Sequence, residues 1–136
     1  MPPRPLGAQA PEGTHVVYDS GALVAASKLD GAFRAFHRGA LARGLTPVVP
    51  APVLAESYSG GPVLDHFLVG CAIEGLSGRA AKRAGRIRAA AGRGSAVDAV
   101  CIETALRYRA SCVTSDAADL RALGRAAGRT VPLIEI

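Results

Sequence analysis

Four acidic residues of this basic chain stand at the edges of apolar runs: Asp19 in HVVYDSGAL, Glu56 in VVPAPVLAES, Asp98 in SAVDAVCIETAL and Asp116 in CVTSDAADL. One or more small residues follow each acid. The 136 residues carry a formal net charge of +5, so acidic residues are the minority charge. Carboxylates in such positions are the groups that bind a hard cation or transfer a proton.

If these carboxylates share one pocket, they favour a divalent cation there. Two like charges about 4 Å apart repel by roughly 4 kcal/mol at an effective dielectric of 20, so the cluster is stable mainly when a cation neutralises it. A ligand set made only of oxygen atoms favours Mg²⁺ or Mn²⁺. The reaction that needs this arrangement is metal-assisted phosphodiester hydrolysis, in which no side-chain nucleophile is required.

Each acid taken alone also has a structural explanation. Ser95 with Asp98 fits a capping box, and Asp116 with Asp119 fits an aspartate N-cap followed by an acid three positions on, each worth about 1 kcal/mol. Asp19 fits an acid that bonds a turn amide after its strand. Glu56 fits an exposed helix residue that complements the helix dipole.

Hydrophobic periodicity divides the chain into alternating strands and helices. Strands are predicted at residues 15–19, 46–50, in the later part of 62–77, 111–116 and 130–136. Helices are predicted directly after the first strand and at 30–44, 51–60, at the start of 62–77, 77–91, 95–109 and 117–128. This alternation predicts an α/β fold with a central parallel sheet of about four or five strands, helices on both faces and right-handed crossovers.

The predicted elements bring the acids together. Three of the four lie at the carboxyl ends of strands or at the helix starts that face them. In an open parallel sheet these ends converge on one crevice at the topological switch point, where the strand order reverses. The sequence therefore predicts that the carboxylates share one pocket.

Composition favours one domain without a membrane span. The length is that of a single ordinary domain, and 49% hydrophobic residues exclude a largely disordered chain. No apolar run approaches the roughly 18 residues of a transmembrane helix, and the proline-rich start lacks the apolar core of a signal peptide. We expect residues 1–14 to be a flexible tail, 15–136 a single domain, and the protein to be cytoplasmic. Cys71, Cys101 and Cys112 lie in apolar contexts typical of small core residues.

Basic residues cluster where acids are absent, between Gly75 and Val97. Their helical spacing gives one basic face, formed by Arg79, Lys82, Arg83 and Arg86. A polyanion such as RNA is the natural partner of this face, and these four residues are its candidate RNA-binding residues. The alternative, a solvated helix face in an arginine-rich chain, stays open.

The four acidic motifs together resemble those of PIN-domain ribonucleases in their order, spacing and element types. The resemblance runs from about His15 to Ile136 and is strongest to the VapC-like toxins of bacterial type II toxin-antitoxin modules. It implies a three-layer PIN-like fold and an endoribonuclease that depends on Mg²⁺ or Mn²⁺ and cuts structured RNA such as tRNA or rRNA. It also implies a homodimer that a cognate antitoxin silences.

The resemblance assigns roles to individual residues. The catalytic and metal-binding acids that it implies are Asp19, Glu56, Asp98 and Asp116. Asp119 is implied as an assisting metal ligand, and Ser20 and Thr114 as supporting hydroxyls. Gly21 departs from the pattern, because a hydroxyl or amide residue is more usual at that position.

Two other functions stay open. The first is a catalytically weak PIN-like module that binds RNA or a protein partner. Aromatic residues form only 4% of the chain, so phosphate contacts would have to dominate RNA binding over base stacking. The second is a phosphotransfer enzyme with Asp19 as nucleophile. That chemistry usually has a second acid two residues further on, where this chain has Gly21.

Overall fold

The computed structural model describes residues 12–136, so most of the predicted flexible tail lies outside the described residues. The elements are β1 (His15–Tyr18), α1 (Ser20–Ser27), α2 (Gly31–Ala42), β2 (Thr46–Pro50), α3 (Ala51–Ser57), α4 (Pro62–Leu68), β3 (Ala72–Glu74), α5 (Gly78–Ala91), α6 (Ala96–Tyr108), β4 (Ser111–Thr114), α7 (Ala117–Ala126) and β5 (Leu133–Glu135).

The five strands form one parallel sheet in the order β3-β2-β1-β4-β5. The first strand lies near the middle, where Val17 is in register with Val48 of β2 and with Cys112 of β4. From β1 the chain builds outward through β2 and β3, then returns to the other side for β4 and β5. The strand order therefore reverses between β1 and β4, which is the switch point at which ligands bind in open parallel sheets.

Helices cover both faces of the sheet. The helices α1, α2 and α4 belong to one group, in which α1 packs on the other two; α5, α6 and α7 pack against one another in a second group. The crossovers that hold these two groups run in opposite directions along the sheet, and because each is right-handed, the two groups lie on opposite faces. The three-layer α/β fold with a parallel central sheet is the predicted one.

The core is formed by the central strands and by α6. Val16, Val17, Val48, Val49 and Val113 are at most 2% exposed, as expected for strands covered on both faces. Every residue of α6 from 99 through 105 is buried. This helix is therefore fixed in the layer, and its first turn is held above the carboxyl edge of the sheet.

Element ends differ from the sequence predictions in a few places. The predicted closing strand 130–136 is paired only over Leu133–Glu135, because Pro132 has no N–H to donate to a ladder. The sequence predicted a third strand in the later part of 62–77 without giving its first residue. The structure has it at Ala72–Glu74. No helix within residues 12–136 combines the length and apolar character needed to cross a bilayer.

Candidate active site at the carboxyl edge of the sheet

Asp19 follows β1 at the switch point and is 7% exposed. Its backbone N–H donates to the carbonyl of Val113 in β4 over 3.2 Å. Its carboxylate accepts from the N–H of Ala22 at 3.0 Å, which caps α1. The predicted bond to a backbone amide is confirmed, and together these bonds fix the carboxylate where the strand order reverses.

Thr114, the last residue of β4, links two of the acids. Its hydroxyl is hydrogen-bonded to the carboxylate of Asp19 and accepts from the backbone N–H of Asp116 at 2.9 Å. The side chain is fully buried, so its orientation is set by these two partners. Thr114 thus lies between two acids that follow neighbouring strands.

The carboxylates of Asp19 and Asp98 interact electrostatically. Burial raises the pKa of Asp19 above its ordinary value of 3.8; the hydrogen bonds from Thr114 and Ala22 oppose this rise, and the charge of Asp98 adds to it. Among the described residues, no lysine or arginine contributes to the shift. A cation bound here would offset both the burial of the charge and the repulsion between the two acids.

Asp98 lies in the first turn of α6 and forms the predicted capping box. The N–H of Ser95 donates to its carboxylate at 3.2 Å, and the N–H of Asp98 donates to the Ser95 hydroxyl at 3.0 Å. Because α6 is buried along most of its length, this box sets the position of Asp98 relative to β1. The capping role and a role in the site are compatible.

Glu56 is held by Ser20, the first residue of α1. The Ser20 hydroxyl donates to the Glu56 carboxylate at 2.6 Å. Since α3 ends at Ser57, Glu56 lies in its last turn, where a negative charge opposes the helix dipole. The predicted dipole role is therefore wrong, and the carboxylate is held instead by Ser20, the residue that follows Asp19 in the chain.

Asp116 and Asp119 differ in how free their carboxylates are. Asp116 occupies the N-cap position of α7, but its side chain makes no capping hydrogen bond, so the predicted N-cap bond is wrong. Its side chain is exposed beside Thr114. Asp119 accepts from Nε of Arg93 at 2.7 Å. Asp116 is thus the more available of the two for a metal, because Asp119 already has a counter-ion.

The donor set fits a hard divalent cation in its chemistry, since every candidate ligand is an oxygen. Within residues 12–136, however, no three acidic, histidine or cysteine side chains converge closely enough to hold an ion in this conformation. Local partners hold the carboxylates of Glu56, Asp98 and Asp119. Each of these carboxylates keeps a second oxygen without such a bond to another residue of 12–136, but the side chains have to move closer together to share an ion with Asp19.

Cys101 lies close to the acids but is a poor ligand. The pKa of its thiol is well above 9.0 because of a hydrogen bond with Cys112 and because of burial, and the charges of Asp19 and Asp98 add to the rise. A neutral thiol binds metals weakly. Cys101 and Cys112 are buried free cysteines, as the sequence predicts, and the metal ligands must come from the carboxylates.

Sequence reasoning missed the contact between Gly21 and Ser115. A Cβ atom on Gly21 would lie 2.1 Å from the hydroxyl oxygen of Ser115. The Ser115 side chain therefore fills the space of a side chain at position 21. This explains why the chain has glycine where a hydroxyl or amide residue was expected. Glycine at position 21 indicated that no side chain fits there. The residue that fills the space, Ser115, is 94 positions further on, and the sequence around Gly21 does not identify it.

The predicted basic face of α5 divides into two parts. Arg79, Lys82 and Arg86 are exposed. Arg83 instead forms an ion pair with Glu103 of α6, Nη2 to Oε2, at 3.0 Å. Glu103 is 3% exposed and also binds Arg107. It is an ion-pair residue of the helical layer and does not belong to the acids at the carboxyl edge.

Comparisons with known proteins place the fold. No protein-family model matches the sequence, and no curated protein matches it. A chain of VapBC2 from Rickettsia felis, in a complex with a promoter DNA fragment, is 20% identical with a TM-score of 0.70, covering 90% of this chain and 98% of that one. A chain of FitAcB from Neisseria gonorrhoeae is 14% identical with a TM-score of 0.63, covering 88% and 96%.

A third similar chain comes from a toxin-antitoxin complex of Klebsiella pneumoniae. It is 16% identical with a TM-score of 0.60, and the match covers 76% of this chain and 88% of that one. At these identities the likeness concerns the backbone arrangement. The chain therefore has the PIN-like α/β fold that it shares with chains of these complexes.

Proposed function

We propose that this protein is a metal-dependent endoribonuclease that hydrolyses RNA phosphodiester bonds and acts as the toxin of a type II toxin-antitoxin module. One observation carries the proposal. Asp19 is buried at the switch point of a parallel sheet, next to the charge of Asp98 and without a basic partner among the described residues. A carboxylate pair in that setting is suited to binding a divalent cation.

The proposed metal ligands are Asp19, Glu56, Asp98 and Asp116, with Asp119 assisting. When bound, Mg²⁺ or Mn²⁺ supplies an activated water and charge stabilisation at the phosphate. The residues of the chain do the positioning. Thr114 orients Asp19 through its buried hydroxyl, Ser20 holds Glu56, and the capping box fixes Asp98.

RNA is the proposed substrate because of the charge around the site. The chain has a net charge of +5, and no acid occurs from Gly75 through Val97. Aromatic residues form only 4% of the chain. Base stacking therefore contributes little, and phosphate contacts have to supply most of the affinity. Structured RNA such as tRNA or rRNA is the substrate class that the family resemblance implies, and such a substrate implies a cytoplasmic enzyme.

The proposed protein partners are a cognate antitoxin and a second copy of the chain. The similar structures support the antitoxin, since that of Klebsiella pneumoniae is a toxin-antitoxin complex and VapBC2 of Rickettsia felis was solved on promoter DNA. The homodimer rests on the family resemblance. In this proposal the antitoxin blocks access of RNA to the acids.

A second candidate is a catalytically weak module that binds RNA or a protein partner. The observation that favours it is the separation of the carboxylates, because no three of the candidate ligands within residues 12–136 converge on one point. The buried Asp19 argues against it, since burying an acid beside another acid is costly and a pure binding surface does not need it.

Cleavage of total cellular RNA by the purified protein tests the proposal. We expect discrete fragments with Mg²⁺ or Mn²⁺, none with EDTA, and a loss in the Asp98→Asn variant that exceeds the roughly 10–100-fold cost typical of changes around metal ligands. Asp30→Asn is the matched control, because Asp30 caps α2 and asparagine caps equally well. Metal-independent cleavage, or unchanged cleavage by Asp98→Asn, contradicts the proposal. RNA binding without cleavage favours the binding module.

A further inference from the structure

A cleft of about 770 Å³ lies between the start of α5, the second half of α6 and the loop before β5. Its charged lining consists of four arginines and two glutamates: Arg79, Arg83, Arg107, Arg129, Glu74 and Glu103. Four positive charges against two negative charges leave an excess of two positive charges. The acids of the candidate active site do not line this cleft.

Two of the arginines are fixed by the glutamates. Arg107 donates from Nη1 to Glu74 at 2.6 Å and from Nη2 to Glu103 at 3.1 Å. Arg83 donates from Nε to Glu103 at 3.1 Å. Each guanidinium has five N–H donors, so both retain donors beyond these bonds. The glutamates thus hold two guanidinium groups in place with part of their hydrogen-bonding capacity unused.

The other two arginines have no such partner. Arg79 and Arg129 are exposed, and neither side chain makes a hydrogen bond or ion pair with another residue of 12–136. An exposed cation with no protein partner is available to an anion that enters the cleft. The cleft therefore combines two pre-positioned guanidinium groups with two free ones.

We propose that this cleft binds a backbone phosphate of RNA away from the bond that is cut. The proposal rests on the proposed ribonuclease function. A guanidinium fork matches the oxygens of phosphate and binds them through paired, charge-assisted hydrogen bonds. No aromatic residue lines the cleft, so bases have no ring to stack on there, and a contact made to the phosphate does not depend on the RNA sequence.

The course of α5 connects the cleft to the active site. Arg79 lies in the first turn of α5, and the helix ends at Ala91, a few residues before the start of α6, where Asp98 lies. At 1.5 Å per residue the helix covers about 18 Å from Arg79 to Ala91. Lys82 and Arg86 are exposed along this path. An extended polyanion in the cleft can therefore follow Lys82 and Arg86 along α5 toward the acids, which favours RNA over a short acidic peptide.

RNA binding at graded salt concentrations tests the proposal. The full chain carrying Asp98→Asn is titrated into labelled single-stranded RNA with EDTA present, so that the RNA stays intact, and binding is followed by fluorescence anisotropy. The test variant adds Arg79→Gln and Arg129→Gln. The matched control adds Arg34→Gln and Arg38→Gln, two exposed arginines of α2 on the other face of the sheet.

The expected result is a weaker dependence of RNA affinity on salt in the test variant and an unchanged dependence in the control. Each lost phosphate contact lowers the slope of log Kobs against log salt by about 0.7 for single strands, so losing the phosphate held in the cleft lowers it by about 0.7. Equal slopes in the test and control variants overturn the proposal. We expect thermal unfolding to show that both variants keep the fold, because all four substituted side chains are exposed.

Two further probes identify the source of the anion. If labelled poly-glutamate loses affinity in the test variant while RNA does not, the cleft takes an acidic protein segment and the proposal is overturned. Titration with inorganic phosphate shows whether the isolated anion is sufficient. Phosphate binding that depends on Arg79 and Arg129, together with an unchanged RNA slope, also overturns the proposal.

Failure of this proposal is distinguishable from failure of the proposed function. The binding measurement uses a variant of the candidate active site without metal, whereas the function is measured as cleavage by the unsubstituted protein. RNA binding that depends on the cleft in a protein that cuts no RNA supports the cleft and contradicts the ribonuclease. Cleavage by the unsubstituted protein, together with equal salt slopes in the test and control variants, supports the ribonuclease and overturns the cleft proposal.

Discussion

The hydroxyl of Ser115 occupies the space that a side chain at Gly21 would need. A Cβ on Gly21 would lie 2.1 Å from Oγ and 2.9 Å from Cβ of Ser115. Gly21 is in the first turn of α1 and Ser115 directly follows β4. This contact holds together the two segments that carry Asp19 and Asp116.

Gly21→Ala should therefore destabilise the protein although alanine favours helix. The new methyl group overpacks the contact with Ser115, at an expected cost of about 1–3 kcal/mol in the free energy of unfolding. Urea unfolding measures it. We also expect weaker cleavage, because the segments carrying the acids have to move apart.

Two variants control for the helix propensity of alanine. Gly39→Ala lies inside α2 with no atom within 4 Å of the new Cβ, so it should stabilise the protein by up to about 1 kcal/mol. Ser115→Gly combined with Gly21→Ala should recover most of the lost stability. An equal gain from Gly21→Ala and Gly39→Ala is incompatible with the contact.

Asp19→Asn should stabilise the protein at neutral pH while abolishing cleavage. The pKa of Asp19 is raised by burial, so the folded protein binds this proton more tightly than the unfolded chain does. The favourable contribution is fully present below pH 3.8 and is lost as the pH rises through the raised pKa. At pH 7 the ionised carboxylate opposes folding, and asparagine removes that cost while it still caps α1.

Thermal unfolding of both proteins in EDTA, from about pH 7 down to about pH 4, measures this effect. The gain in Tm of Asp19→Asn should be largest at the upper end and should shrink as Asp19 of the unsubstituted protein becomes protonated. A loss of Tm at every pH shows instead that the ionised carboxylate is a net stabilising group.

Arg107→Ala should be strongly destabilising. Arg107 joins Glu103, which is 3% exposed, to Glu74. Its removal leaves the buried carboxylate of Glu103 with Arg83 alone, and breaking a buried pair costs about 3–5 kcal/mol. Partial exposure of Arg107 favours the lower end of that range. The midpoint of urea unfolding at neutral pH gives the change.

Arg121→Ala is the matched control for the ion pair. Arg121 pairs with Glu135 at 3.0 Å, but both side chains are more than half exposed. A pair in that setting contributes about 0–1 kcal/mol. If both alanine variants lose the same small amount of stability, the burial of Glu103 has no energetic consequence.

His37 should make stability fall in mild acid. The hydroxyl of Tyr18 lies 2.8 Å from Nδ1 of His37, and burial lowers the pKa of His37 from its ordinary value of 6.5. Stability from a neutral buried histidine is present above pH 6.5 and is lost as the pH falls toward and through the lowered pKa. His37→Asn keeps an acceptor for Tyr18 but does not titrate.

The difference in Tm between the unsubstituted protein and His37→Asn, followed from neutral pH to about pH 5, isolates this group from the other histidines. We expect the variant to lose less stability than the unsubstituted protein over that interval. If the Tm of the two proteins falls equally with pH, protonation of His37 is not the cause of the lost stability.

Local features of the sequence determined most elements of this fold. The apolar, β-branched runs before Asp19 and in residues 46–50 became the central strands, and Ser95 with Asp98 formed the capping box, because hydrophobic period and capping are properties of neighbouring residues. Alternating strands and helices also predicted the parallel sheet, since right-handed crossovers leave few other arrangements.

The tertiary structure alone decided which side chains meet. It paired Ser20 with Glu56, placed Ser115 beside Gly21, and turned Arg83 from the exposed basic face toward Glu103. It also left the Asp116 side chain without the capping bond that its position predicted. These contacts join residues 20 to 94 positions apart, and their geometry depends on strand order and helix packing. A pattern read along the chain contains no information about distances of that kind.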